Sequence, residues 1–176
     1  MKITTKIITG FMCLVFIGGI HVTLQNNVIY ATEKNQSSKA PEVVPEKSDL
    51  QLSVPDFLKK YPEEKALLKN PYNSSDPKLV EEGRKIYLSY SCNGCHGGTG
   101  GGGMCPPLTN EIWVYGDGDD TLFRLIALGT KKLNRPRKRT ERVKGPMPPF
   151  NELFETADEL WKILAFVRWA KENRGK

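Results

Sequence analysis

One short stretch constrains this chain more than any other: Ser91-Cys92-Asn93-Gly94-Cys95-His96-Gly97. Two cysteines three apart, with a histidine directly after the second, form the C-x-x-C-H signature of covalent c-type haem attachment. The spacing has a mechanical reason. Cys92 and Cys95 lie on one turn and reach the two haem vinyl groups as thioethers, and His96 then directs its imidazole at the iron from one face of the ring. One covalent haem with one axial ligand fixed by the attachment itself is the expectation.

Two other chemistries use the same cysteine spacing. Tetrahedral zinc needs two further nitrogen or sulfur ligands at close range. Cys105 is one candidate, but the chain's two histidines are His21 and His96, and no second Cys-x-x-Cys pair exists. A thioredoxin-type dithiol follows a buried strand in a βαβ context, whereas the residues before Cys92 read as a helix. Haem is the stronger reading.

The start of the chain reads as an export leader. Lys2 and Lys6 precede an apolar run from Ile7 to Ile20, which is short of the ~20 residues of a comfortable membrane span. Ile29-Tyr30-Ala31 offers a cleavage site, so residues 1–31 are expected to be removed and the protein to be periplasmic, with an uncleaved anchor as the alternative. Cys13 follows Phe11-Met12, which is no lipoprotein cleavage box. Cleavage removes Cys13 and His21 and lowers the formal charge from +6 to +4, because Lys2 and Lys6 leave with no acidic residue. His96 is then the one histidine of the mature chain.

Residues 32–75 are expected to be a flexible N-terminal extension, since Lys, Glu, Ser, Pro and Gln dominate as far as Pro55. Residues 57–69 read either as a short helix over the domain or as more tether. Organisation returns at Asp76-Pro77, an N-cap followed by proline at the first helical position. Leu79, Val80, Gly83, Ile86, Tyr87 and Tyr90 then recur at helical spacing. Gly83 weakens a helix by about 1 kcal/mol relative to alanine, which points to close approach of a second helix there. The C-terminal segment supplies one: Thr156-Ala157-Asp158-Glu159 reads as a capping box, followed by the apolar stripe of Leu160, Trp161, Ile163, Leu164, Phe166, Val167 and Trp169. Ile163 and Phe166 share a face and are expected to cross the first helix at Gly83 and Tyr87. Between them, Gly97 to Gly103 lacks the strand and the Lys-Ser/Thr of a phosphate loop and reads as a tight turn. Asp119 or Asp120 is expected to cap a short helix through Leu122, Phe123, Leu125 and Ile126, closed by Gly129. A basic run from Lys131 to Lys144 precedes Gly145-Pro146-Met147-Pro148-Pro149-Phe150.

In this order, Gly83 with Tyr87, Cys92-x-x-Cys95-His96, Pro106-x-Leu108, Met147 in a proline-rich loop and the aromatic terminal helix resemble class I cytochromes c, over roughly residues 76–173. The resemblance implies an all-α fold in which the N- and C-terminal helices cross and short helices and loops enclose the haem. It also implies that the Pro106 carbonyl accepts a hydrogen bond from His96, orienting the ring. Cys105 stands where the family usually has glycine. For the sixth iron ligand, Met104 and Met147 are the methionines left after export. Met104 lies two residues before Pro106, which stays on the His96 side of the ring, so Met147 is the expected partner of His96; otherwise Met147 is loop filler beside an open iron. Prolines around Met147 reduce the freedom lost on folding.

Leu108-x-x-x-x-Trp113-x-Tyr115-Gly116, with the Leu122-Phe123 helix and Gly129, is similar to the cytochromes that accept electrons from quinoprotein (PQQ) alcohol dehydrogenases. That likeness implies such a donor, with a terminal oxidase or another cytochrome as acceptor. Trp113 and Tyr115 are candidates to donate hydrogen bonds to haem propionates, with core packing as the other explanation. Export argues against nucleic acid as the target of the basic run, which is expected to steer an acidic redox partner instead. The protein is thus expected to carry single electrons and not to be an enzyme by itself. Two rivals are a haem subunit tethered to a membrane complex and a haem enzyme or gas sensor with an open iron position.

Overall fold

The structure, a computed structural model, describes residues 40–138 and 145–174. The expected leader at 1–31, with Cys13 and His21, lies outside the described residues, and so do Arg139, Arg142 and Lys144 of the basic run. No described helix is long and apolar enough to cross a membrane.

Two long helices make the frame. Helix α2 spans Pro77–Ser89 and helix α5 spans Ala157–Glu172. Asp76 caps α2 by accepting from the N–H groups of Lys78 at 2.9 Å and Leu79 at 3.4 Å, two of the donors that a helix start leaves without partners. The two helices cross at Gly83. A Cβ there would lie 2.0 Å from the Lys162 carbonyl oxygen and 3.1 Å from Phe166 Cβ, so only hydrogen fits. Tyr87 and Phe166 meet next to the crossing with ring centroids 5.1 Å apart. Ile163, one residue on from Lys162, lines the cleft described below together with Tyr87. The start of α5 also differs from a full capping box. Thr156 makes no side-chain cap bond, while Glu159 accepts from the Glu155 N–H at 2.9 Å and the Tyr90 hydroxyl at 3.0 Å.

Helix α4, Asp119–Lys132, packs across α5, with Phe123 against Trp161 at 4.4 Å between centroids. Its N-cap is Gly118, not either aspartate. Asp119 and Asp120 occupy the first turn, where carboxylates complement the helix dipole, and their oxygens reach away from the helix. Asp119 accepts from the Asn70 N–H at 3.0 Å and from Arg168 Nε at 2.8 Å. Asp120 accepts from the Leu68 N–H at 3.3 Å, Arg124 Nε at 2.8 Å and Arg135 Nη2 at 2.7 Å.

Those bonds tie down the segment that composition marks as flexible. Residues 40–75 are folded onto the helices. Strand β1, Glu42–Val43, pairs in parallel with β2, Leu67–Leu68, and helix α1 covers Val54–Lys60 with Ser53 as cap. Leu50, Val54, Phe57 and Leu68 are buried, with Phe57 5.1 Å from Phe123 and 6.4 Å from Trp161 between ring centroids. The physical reason is spacing. Val54 and Phe57 share one face of α1, and Leu50 joins them from the short turn Asp49–Gln51 just before it, a sparse set that an average over a polar window hides. Each such side chain contributes about 1.5–3 kcal/mol when removed from water.

Asp49 anchors the extension from within, accepting from Lys60 Nζ at 2.6 Å and from the Tyr61 hydroxyl at 2.5 Å. Lys60 first, then Tyr61, holds its carboxyl below the usual carboxylate range. A depressed carboxyl contributes stability that is present above its unfolded value, about pH 4, and lost as the pH falls through the folded value. Hydrogen-exchange protection of residues 50–60, corrected for the intrinsic rate, is therefore expected to drop below about pH 4. Asp49→Asn should abolish that step; protection unchanged in acid would reject the anchor.

Candidate functional site

The turn from α2 into the next helix is made by Ser91, whose φ of 58° places a non-glycine residue in the left-handed region. Helix α3 follows as Cys92–His96. The Tyr87 hydroxyl donates to the Gly97 carbonyl at 2.7 Å, tying the end of α3 back to α2. The glycine-rich loop then folds onto α3: Gly102 N–H donates to the His96 carbonyl at 2.8 Å, Cys105 N–H to the Cys95 carbonyl at 3.0 Å and Leu108 N–H to the Gly100 carbonyl at 2.7 Å. The loop thereby brings Pro106 against the histidine.

His96 Nδ1 lies 3.0 Å from the Pro106 carbonyl oxygen. A carbonyl only accepts, so Nδ1 carries the proton and Nε2 keeps its lone pair. Burial depresses the imidazole pKa, and the Pro106 bond works in the opposite direction. The ring is thus neutral and held in one tautomer, as a metal-ligating histidine needs.

His96 faces an apolar cleft with about 1100 Å3 of empty space, part of it open to solvent. Cys92, Pro106, Trp113, Tyr115 and Met147 line the same space. Cys95 is not among the lining residues, whereas Cys105 does line the cleft. Burial pushes the Cys92 thiol up to about 11, so it stands as a protonated thiol. Met104 is 57% exposed and outside the cleft, whereas Met147 is one of its walls. Aliphatic side chains from α4 and α5, among them Leu125, Ile126, Ile163 and Leu164, supply the rest of the lining.

Several expected residues meet further partners at the cleft. The Trp113 indole N–H donates to the Leu108 carbonyl at 2.8 Å, and Lys171 Nζ stands 4.5 Å from its ring centroid. Trp113 lines the cleft with its N–H engaged by the backbone. The Tyr115 hydroxyl has no partner among the described residues and remains available. In the basic run, Arg135 turns inward to Asp120 and Glu63 and so leaves the steering set. Lys131, Lys132, Arg137 and Lys138 are exposed. The Lys138 N–H donates to the Val114 carbonyl at 2.6 Å and its side chain lies over Gly116, which borders the cleft.

This donor set suits a haem. Attachment thiols share one short helix with a neutral imidazole whose lone pair is exposed to an apolar cleft, and a thioether stands in the same cleft. It does not suit zinc: among the described residues, no three His, Cys, Asp or Glu side chains are grouped to hold a metal ion. The aspartate network and the left-handed Ser91 escaped sequence reasoning. The Asp119-Asp120 pair was visible, but as a cap.

The family model described as Cytochrome c matches residues 80–171, just over half of the chain. Among solved structures, cytochrome cL from Hyphomicrobium denitrificans matches at 25% identity with a TM-score of 0.44, covering 74% of this chain. The match spans 62% of that protein, short of two thirds. No curated protein matches. With the Cys92-x-x-Cys95-His96 helix and the Pro106-held imidazole facing one apolar cleft, the chain belongs to the cytochrome c family, as an all-α class I member that binds haem c covalently and carries electrons.

Proposed function

We propose that this cytochrome is exported and shuttles single electrons from a quinoprotein (PQQ) alcohol dehydrogenase to a terminal oxidase or another cytochrome. His96 and Met147 are its axial ligands. The observation that carries the reading is that both line one cleft from separate elements, α3 and the 145–150 loop. The haem supplies the one-electron couple. The chain's own residues do the rest. His96, oriented by Pro106, and Met147 would hold the iron between them, a nitrogen and thioether pair that would raise its reduction potential relative to harder ligands. The aliphatic walls exclude water, and the Tyr115 hydroxyl, which lines the cleft, would donate to a propionate carboxylate.

Docking is assigned to the exposed cations beside the cleft. Lys138 is strapped at the mouth through Val114 and Gly116, so positive charge borders the route into the cleft and steers an acidic donor. In stopped-flow reduction by a PQQ alcohol dehydrogenase, the Arg137→Glu/Lys138→Glu protein is expected to react about 10-fold more slowly at low salt. The two proteins should converge as salt rises and screening shortens the field. A rate unmoved at low salt would reject the docking surface, and no reduction of the unaltered protein would reject the donor. Export is checked separately: the native protein should begin after Ala31 and fractionate with the periplasm, whereas a membrane-bound chain starting at Met1 would support a tethered subunit.

A further inference from the structure

Helix α4 is broken before its end. At Gly129 the backbone takes φ 70° and ψ 171°, a conformation essentially confined to glycine. The break redirects the backbone groups around it. The Ile126 and Ala127 carbonyls accept from the Phe150 N–H at 3.1 Å each, and the Ala127 carbonyl also accepts from the Asn151 N–H at 3.0 Å. Past the break, the Thr130 N–H points at the Met147 carbonyl, 3.1 Å away. Residues 147–151 are therefore clamped at both ends to the same helix terminus.

The clamp leaves no slack at its centre. A Cβ at residue 129 would lie 2.6 Å from the Met147 carbonyl oxygen and 2.8 Å from both Pro148 C and Pro149 N. All three are main-chain atoms, so no side chain can swing aside to make room. Relief requires the 147–149 segment to move. His96 is placed by different means, through α3 and the Pro106 carbonyl.

We propose that Gly129 is a positioning residue for the sulfur ligand: its left-handed turn sets where the Met147 thioether stands in the cleft, independently of His96. This rests on Met147 being the sixth ligand. An L-residue at 129 keeps the covalent attachment and the histidine ligand but displaces the thioether. The iron position opposite His96 then opens to outside ligands, and the potential falls. Backbone strain of the size a non-glycine residue meets in this region corresponds to imidazole binding on the order of 10- to 100-fold tighter.

The test compares the haem-loaded full chain with Met147→Ala, Gly129→Ala and Thr130→Pro. The readouts are the sulfur-to-iron charge-transfer band of the ferric protein, the midpoint potential and imidazole affinity, with haem content and thermal stability as controls. Met147→Ala should lose the band entirely. Gly129→Ala should lose most of it, at a lower potential and with tighter imidazole binding, while retaining its haem. If Met147→Ala loses the band but Gly129→Ala keeps the original band, potential and imidazole affinity, the positioning role is overturned and the ligand assignment survives. If Met147→Ala keeps the band, the ligand assignment fails and the positioning role falls with it. Should Gly129→Ala fail to load haem, Thr130→Pro decides. It removes both donors to the Met147 carbonyl, the Thr130 N–H at 3.1 Å and the Thr130 hydroxyl at 3.5 Å, at a position where proline is tolerated after a break. A weakened band with tighter imidazole binding supports the proposal, and values matching the unaltered protein overturn it.

Discussion

Gly83→Ala is expected to cost the haem-loaded protein about 3 kcal/mol of stability or more, at the upper end of what overpacking does. The added methyl would stand 2.0 Å from the Lys162 carbonyl oxygen, a main-chain atom in the middle of α5. No rotamer change relieves that contact, so α2 and α5 must separate. Separation in turn pulls Tyr87 from Phe166 and loosens the bond from Tyr87 to the Gly97 carbonyl that closes the attachment helix. Guanidinium unfolding followed by tryptophan fluorescence measures the loss as a lower midpoint at similar slope. A midpoint within error of the unaltered protein would mean that the helices do not cross at Gly83.

Asp120→Ala is the second large effect. Arg124 is 3% exposed and Asp120 5% exposed, so their pair sits out of water. Removing one member of a buried pair leaves the other uncompensated and typically costs about 3–5 kcal/mol. Arg124 would keep its bond to the Tyr61 carbonyl, but its charge would have no partner. Arg135 would lose one of its two acidic partners, and the Leu68 N–H its acceptor. Replacing both Asp120 and Arg124 by apolar residues of similar size should recover much of the loss, because the destabilising element is the stranded charge. Equal destabilisation in the single and double variants would show that the aspartate acts through the backbone contacts alone. Denaturant midpoints distinguish the two cases.

The features that the amino-acid order conveys are those that depend on close neighbours. The Asp76-Pro77 start of α2, the apolar stripe of α5 and the Cys92-x-x-Cys95-His96 helix are each fixed within a turn or two, and each is found where periodicity and capping chemistry place it. Gly83 is legible for a related reason: a glycine in good helical surroundings signals a close neighbour, and the nearest atoms belong to the Lys162 carbonyl and Phe166. What periodicity does not convey is which carboxylates look outward. Asp119 and Asp120 resemble caps in one dimension, yet their partners at Asn70, Leu68, Arg135 and Arg168 lie 15 to 52 positions away. The folding of residues 40–75 is hidden in the same way, because its apolar positions are sparse in sequence and converge only on Phe123 and Trp161. At the cleft, Trp113 is placed as expected but its N–H is engaged by a carbonyl five residues back, a choice that composition does not reveal.

The match to the family model begins at residue 80, but the cooperative unit does not. Phe57 lies over the rings of Phe123 and Trp161, both of which are shielded from water. A chain trimmed to the family boundary would turn those two aromatic faces outward as one contiguous sticky patch, and shortened copies would pair through it. For anyone excising this domain, the workable starting point is upstream of Glu42, where the small parallel ladder closes the segment on itself.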